Sequence, residues 1–313
     1  MRIAKGIEDL DGAPPGAVVT VGNFDGVHLG HREILSRVVA HAGRIRGTPV
    51  VVTFRPHPHV VLREASEAYL LQTYEEKLEC LEAAALVLEI PFNREFSNTS
   101  PEEFVDGILV KALGAKALYL GYDFALGRGR AGSVEVLRRL AGERGLEAHV
   151  VPPLDVEGAP VSSSRIRAAL ERGSVDEAAA CLGRPFSLRG IVAKGDGRGR
   201  KIGVPTANLH MELRKVPKPG VYATRARWKG KWHASVTNVG YNPTFVVAGA
   251  ESPLKVETHL FDFNEDMYGD RLEVEFLRRL RDERKFAGVD ELLAQMRIDF
   301  AAARDSSRNL LDR

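Results

Sequence analysis

Through the first half of the chain, short runs of β-branched and other apolar residues alternate with longer stretches whose apolar positions recur at helical spacing. The run Val18-Val-Thr-Val21 predicts a buried strand, and the stretch from Arg32 to Val39, with Ile34, Leu35 and Val38 in phase, predicts the helix behind it. Residues 49–54, 86–90, 115–120 and 146–151 read as further strands of the same kind. Between them, Ser100-Pro-Glu-Glu103 offers an N-cap serine, a proline at the first helical position and a glutamate placed for a capping box. Such alternation predicts a parallel sheet covered on both faces, with ligands at the carboxyl ends of its strands. Helical stretches also follow Ser164 and Ser174. The rhythm changes after Gly183-Arg-Pro185. Residues 188–192, 220–227, 231–239, 255–261 and 272–276 are short β-rich runs separated by Gly, Pro and Asn, which predicts an antiparallel sheet or small barrel. Residues 289–304 repeat apolar positions at helical intervals and predict a terminal helix. The expected domains are therefore residues 1–183, α/β in class, and residues 184–313, β in class.

At 313 residues the chain is long enough for two domains with their own cores. Its 44 Lys and Arg against 42 Asp and Glu leave a formal charge of +2, so any polyanion site must be local, and no nucleic-acid partner is expected. Cys80 and Cys181 make no disulfide framework; they suit a reducing compartment as small apolar residues. The first residues carry no apolar signal core, and no apolar run approaches the roughly 18 residues of a membrane span. A soluble, cytoplasmic protein with no membrane or obligate protein partner is expected.

Chemistry concentrates first where the strand at 18–21 meets its helix. The unpaired N–H groups of a helix start, with Gly22, Gly26 and Gly30 leaving room beside the backbone, make an anion site of phosphate size. His28 and His31, three residues apart, can face one ligand. His28-Leu29-Gly30-His31 resembles the His-x-Gly-His motif of the nucleotidyltransferase superfamily. The longer stretch Gly22-Asn-Phe24-Asp-Gly-Val-His-Leu-Gly-His31 resembles the adenylyltransferase half of the bacterial bifunctional riboflavin kinase/FAD synthetases.

That resemblance implies a Rossmann-like nucleotidyltransferase domain in which His28 and His31 act on the phosphates of ATP, with Gly22, Phe24 and Gly30 lining the nucleotide. Two further segments resemble the same family. In Gly121-Tyr-Asp123-Phe124-Ala-Leu-Gly127-Arg-Gly-Arg130, the resemblance implies that Asp123 and Arg130 line the ATP cleft and that Asp123 and Phe124 meet the flavin. The glycines at 127, 129 and 132 are no dinucleotide fingerprint, because they do not directly follow a strand. In Val161-Ser-Ser-Ser164-Arg-Ile-Arg167, a helix start rich in hydroxyls resembles the family's Ser-Ser-Thr-x-x-Arg motif and implies ATP contacts from Ser164 and Arg167. The loop Arg55-Pro-His57-Pro-His59 departs from the family at Arg55, and its two histidines lack a third ligand, so a stiff loop is expected there rather than a zinc site.

In the second half, Gly190 to Asn208 is rich in glycine and cations but contains no Gly-x-x-x-x-Gly-Lys-Ser/Thr. Pro205-Thr206-Ala-Asn208 resembles the ATP and magnesium motif of riboflavin kinases, implying an antiparallel β-barrel kinase domain. Thr206 and Asn208 would be hard oxygen donors for Mg²⁺, and Gly195 and Gly199 would lie along the nucleotide. Asn238 to Phe245 and Val256 to Phe263 match the same family, in which Glu257 would activate the 5′-hydroxyl of riboflavin. Arg281, Glu283 and Phe286 resemble its Arg-x-Glu-x-x-Phe segment, implying flavin contacts from Arg281 and Glu283. The expected substrates are riboflavin, FMN and ATP, the last carried with Mg²⁺. The alternatives are a chain with one active half, or a flavin-sensing regulator.

Overall fold

The valine run at 18–21 is strand β2 (Val18–Val21), buried along its whole length inside a parallel sheet of six strands. The computed structural model describes residues 1–64, 66–195, 197, 199, 202–241 and 254–307, and the chain divides into two units, residues 1–163 and 164–313. In the first unit β1 (Arg2–Lys5), β2, β3 (Pro49–Arg55), β4 (Leu86–Pro91), β5 (Ala117–Gly121) and β8 (Glu147–Val151) lie in the order β1-β4-β3-β2-β5-β8. Two short ribbons, β6 (Ala125–Leu126) with β7 (Gly132–Ser133) and β9 (Asp155–Val156) with β10 (Ala159–Pro160), belong to its loops.

The unbroken apolar runs have a structural reason: the sheet is covered on both faces, so odd and even positions both need apolar side chains. Val19, Val21, Val50 and Val52 pack with Phe104, Leu109 and Leu137 on one side. Val18 and Val51 pack on the other with Ile34, Leu35 and Val38 of α1 (Leu29–Ile45). Also in this unit are α2 (Pro58–Arg63), α3 (Tyr74–Cys80), α4 (Pro101–Phe104, continued as a π-helix over Val105–Ala112) and α5 (Val134–Glu143). The capping box at Ser100 and Glu103 forms, and a second one forms at Thr73 and Glu76. Strand β1 had no signal in the sequence, since only Ala4 of its four residues is buried. The chain runs from β2 outward through β3 and β4, then returns to add β5 and β8 on the other side. The carboxyl end of β2 is therefore the topological switch point, where open α/β sheets bind ligands.

Helices α6 (Ser163–Arg172) and α7 (Val175–Leu182) lead into the second unit. Strands β11 (Phe186–Ala193), β12 (Ala207–His210), β13 (Gly220–Trp228), β14 (Lys231–Tyr241), β15 (Leu254–Leu260) and β16 (Arg271–Arg281) close a barrel in the order β11-β12-β15-β14-β13-β16. Every pairing in it is antiparallel. Paired residues share a face, which puts Phe186, Leu188, Tyr222, Val274 and Phe276 on one side of the barrel wall. The same side carries a buried hydroxyl chain, Ser235 to Thr224 at 2.8 Å, Thr224 to Thr237 at 2.9 Å and Thr237 to Thr258 at 2.9 Å. The two inner hydroxyls, Thr224 and Thr237, have two partners each and the two end hydroxyls one each, so every hydroxyl in the chain is bonded. On the other side Val221, Ala223 and Val236 pack with Ala303 and Phe300 of α8 (Val289–Ser307). The short strand β12 was not anticipated from the sequence.

Candidate active sites

In the first unit the β2–α1 turn is held from beneath. Its backbone is forced into left-handed conformations at Phe24 (φ 51°), Gly26 (φ 84°) and Val27 (φ 37°), unfavourable for the two side-chain-bearing residues and therefore dependent on surrounding bonds. Those bonds are present. Leu71 N donates to Asp25 Oδ1 at 2.9 Å, Gln72 Nε2 to the Phe24 carbonyl at 3.1 Å, and Ser163 Oγ to the Asp25 carbonyl at 2.8 Å. Thr53 Oγ1 donates to the Asn23 carbonyl at 3.3 Å, and Lys77 Nζ reaches both, at 3.1 Å to Thr53 Oγ1 and 3.4 Å to the Asn23 carbonyl.

His28 is the N-cap of α1, its Nδ1 accepting from His31 N at 3.3 Å, and the two rings stack at 3.7 Å. Burial, with His28 and Lys77 nearby, holds His31 well below the usual imidazole range, so the ring is neutral at pH 7. Its Nδ1 is buried without a hydrogen-bond partner. A Cβ at Gly30 would lie 3.3 Å from the His28 ring, and one at Gly22 would lie 3.1 Å from the Phe24 ring, so both glycines make room for neighbours. Phe24 itself is a core residue, packed with Leu35 and Val51, and 5.0 Å from the His31 ring.

The segment after β5 folds back on itself: Arg130 Nη2 donates to the Asp123 carbonyl at 2.9 Å, joining two of the predicted residues. Phe124 rests partly buried against the main core. Ser164 is exposed in the first turn of α6, and Arg167 is buried one turn on. His57 caps α2 by accepting from His59 N at 3.0 Å, and the His59 ring stacks on Tyr69 at 3.7 Å, which accounts for the stiff loop.

In the second unit strand pairing gathers most of the predicted kinase residues. Glu257, half-buried on β15, lies directly across from Asn208 of β12 on one side and from Asn238 of β14 on the other. Directly paired residues present their side chains to the same face, so the three form one polar row. A Cβ at Gly195 would fall on the Asn208 side-chain amide, and one at Gly199 on the Val204 carbonyl and 3.6 Å from Thr206 Oγ1. Gly195 thus lies against Asn208, and Gly199 near Thr206. Glu283 joins the row by accepting from Asn238 Nδ2 at 3.2 Å, and a Cβ at Gly240 would collide with its carboxylate. Arg281 stands apart: its guanidinium grips Asp299 of α8 with bonds of 2.8 to 3.1 Å. Residues 196, 198, 200, 201 and 242–245 of the matching segments lie outside the described residues.

Comparison with known proteins matches each half of the chain to a family. Residues 11–165 match the model of FAD synthetases, and residues 182–307 match that of riboflavin kinases. The bifunctional riboflavin kinase/FMN adenylyltransferase of Bacillus subtilis is 37% identical over 288 residues, 90% of each chain. That of Pseudomonas fluorescens is 36% identical over 305 residues, 97% of each. The chain belongs to the bifunctional riboflavin kinase/FMN adenylyltransferase family. A crystal structure titled as a macrolide-efflux protein from Streptococcus pneumoniae also aligns, with TM-score 0.86 and 31% identity over 96% of this chain and 98% of that one. In this family member, among the described residues, no helix is long and apolar enough to cross a membrane.

One buried charge beneath the β2–α1 turn escaped the sequence reading. Lys77 on α3 is only 8% exposed. Burial, opposed by Asp25 and reinforced by Arg55, lowers its pKa to about 8. A signal existed: Tyr74, Lys77 and Leu81 follow i, i+3, i+7 spacing, which puts a lysine on an apolar stripe.

Proposed function

We propose that the two activities of the family divide between the two constellations. Riboflavin and ATP give FMN in residues 184–313, and FMN and ATP give FAD and pyrophosphate in residues 1–183. The observation that carries this reading is that His28 and His31 lie in one unit and Thr206, Asn208 and Glu257 in the other.

Adenylyl transfer requires no protein nucleophile. A phosphate oxygen of FMN bonds to the α-phosphorus of ATP as the bond to the pyrophosphate oxygen breaks. The protein's part is positioning and charge stabilisation. His28, His31 and the start of α1 face the phosphates, and Lys77 keeps the Asn23 carbonyl turned inward so that the strained turn holds its shape. Gly22, Gly30, Asp123 and Arg130 complete the nucleotide site, and Asp123 and Phe124 the flavin side. A polyanion beside His31 favours its protonated form, so nucleotide binding draws a proton onto this ring.

In the kinase reaction Glu257 accepts the 5′-hydroxyl proton of riboflavin as that oxygen bonds to the γ-phosphorus and the bond from the γ-phosphorus to the bridging oxygen breaks, releasing ADP. Thr206 and Asn208 fit a hard cation. Both supply oxygen, and the two glycines keep open the space that a Cβ would fill. When bound, Mg²⁺ supplies charge neutralisation at the ATP phosphates. Glu283 and Asn238 extend the row toward the flavin. ATP supply and the two thiols suit the cytoplasm, and neither reaction needs a nucleic acid, membrane or protein partner.

Reciprocal variants of the intact chain test the division. His28→Ala with His31→Ala is expected to cut FAD formation from supplied FMN by about 10²–10³-fold or more and to spare FMN formation from riboflavin. Glu257→Gln is expected to do the reverse, lowering kinase kcat by roughly 10²–10⁴-fold. Chromatography of the three flavins reads both. Loss of both activities in either variant, or of neither, would overturn the assignment.

A further inference from the structure

Far from the phosphate turn, α1 and the edge strand β8 bring together three side chains that neither reaction uses. His41 Nε2 lies 4.0 Å from Glu147 Oε2, and His149 Nε2 lies 3.4 Å from the same oxygen. One ligand atom from each residue falls within 4.8 Å of the other two. His41 is thirteen residues past the His28 cap on the same helix, about 20 Å along its axis. Glu147 and His149 sit two apart on β8, so both project to one face of the sheet.

We propose that His41, Glu147 and His149 form a site for a divalent transition metal of the zinc class. Two imidazoles and one carboxylate, with a fourth position open, are a ligand set that zinc accepts. In a tetrahedral site with bonds of about 2.0–2.1 Å, the ligand atoms stand about 3.3 Å apart. The two separations to Glu147 Oε2 are therefore near that value already, and modest rotation of the exposed Glu147 and His149 side chains closes the rest.

The surroundings fit the same reading. His41 is buried, and its Nδ1 is 3.1 Å from the Tyr119 hydroxyl, itself buried. With the Nδ1 proton donated to that hydroxyl, Nε2 keeps its lone pair on the Glu147 side, the outer-shell arrangement that orients metal-bound histidines. The His149 ring stacks on Tyr119 at 4.6 Å and meets the His41 ring edge-on at 5.7 Å, which keeps it beside His41. One tyrosine thus orders both imidazoles. A metal here would tie α1 to the edge of the sheet.

The test uses the intact chain, stripped with chelator and free of nucleotide, titrated with Zn²⁺ alone by calorimetry. Co²⁺ serves as a spectroscopic stand-in. One strong equivalent is expected, with visible bands of four-coordinate cobalt. His149→Ala and Glu147→Gln alter exposed groups and leave the core intact; each is expected to weaken binding at least about 10-fold. His57→Ala with His59→Ala is expected to leave it unchanged. Zinc at a hundredfold excess over its Kd should raise a melting transition of the wild type by roughly 5–10 °C, and not that of His149→Ala. Absence of saturable binding overturns the proposal. So does binding indifferent to His149 and Glu147, or binding lost with His57 and His59.

Discussion

Replacing Lys77 with methionine separates what a buried charge costs from what it does. The pKa of Lys77 falls from 10.5 to about 8, a displacement of about 2.5 units. At about 1.36 kcal/mol per unit, holding the ammonium charged in this site costs about 3 kcal/mol relative to the unfolded chain. The folded state binds fewer protons than the unfolded one between about pH 8 and pH 10.5. The penalty is therefore complete below pH 8 and is relieved as pH rises through that window. Methionine fills similar volume without the charge and loses two hydrogen bonds worth about 1 kcal/mol each. The Asn23 carbonyl keeps its bond from Thr53 Oγ1. Lys77→Met should thus be more stable than the wild type at pH 7 by about 1 kcal/mol. Calorimetry of both proteins from pH 7 to pH 10.5 should show the difference closing at about 1.4 kcal/mol per pH unit above pH 8. FAD formation from FMN should meanwhile drop by about 10²-fold, with riboflavin phosphorylation untouched. A stability difference independent of pH would refute the buried-charge argument. Full FAD synthesis by the variant would refute the role given to the lysine.

Further outcomes are expected in the second unit. Gly195→Ala should push the Asn208 amide aside and raise the kinase KM for Mg-ATP by roughly 10–100-fold without lowering the melting transition; unchanged kinetics would show that the contact of Gly195 with Asn208 does not shape the site. Arg281→Ala leaves the buried Asp299 carboxylate without its counter-charge, with only Gln295 Nε2 still donating to it, and should destabilise the unit by about 3–5 kcal/mol, as Asp299→Asn should in part. If Asp299→Asn instead raises the KM for riboflavin with no change in melting, Arg281 serves the flavin and not the helix. A fragment of residues 164–313 should melt above one of residues 184–313, with both phosphorylating riboflavin. The reason is that α7 buries Val175, Ala178, Cys181 and Leu182, while Lys218 N bonds to the Leu170 carbonyl at 2.8 Å. Equal melting of the two fragments would place the domain edge at the composition break near Gly183.

What the sequence disclosed depended on how locally each feature is encoded. The strand, turn and helix around His28 are contiguous, and the two-faced burial of β2 is written in consecutive apolar residues. Both could therefore be read from pattern alone. Strand β1 could not, because an edge strand with one buried side chain has no period to detect. The kinase constellation is different in kind. Asn208, Asn238 and Glu257 come from three strands, Thr206 and Glu283 from segments flanking strands, and only barrel register puts Glu257 between Asn208 and Asn238. Periodicity carries no register information between distant strands, so these residues were legible only through resemblance to a family.

The same limit explains the two residues whose surroundings the sequence could not supply. Lys77 and Arg281 are both cations on regular elements, and neither motif nor composition says what each faces. Arg281 has a carboxylate partner with two oxygens in reach, so its charge is compensated and its burial contributes to structure. Lys77 has a carbonyl and a hydroxyl as its hydrogen-bond partners, with Asp25 acting at longer range, and its pKa falls as a result. A folded chain keeps an under-compensated buried ammonium only where something else holds it in place. Here that is the strained turn carrying Phe24 and Val27, whose left-handed backbone must be held for His28 to cap α1. The uncompensated cation beside a phosphate-sized turn, and not the well-paired one, is therefore the better marker of an anion site that expects a ligand to bring the missing charge.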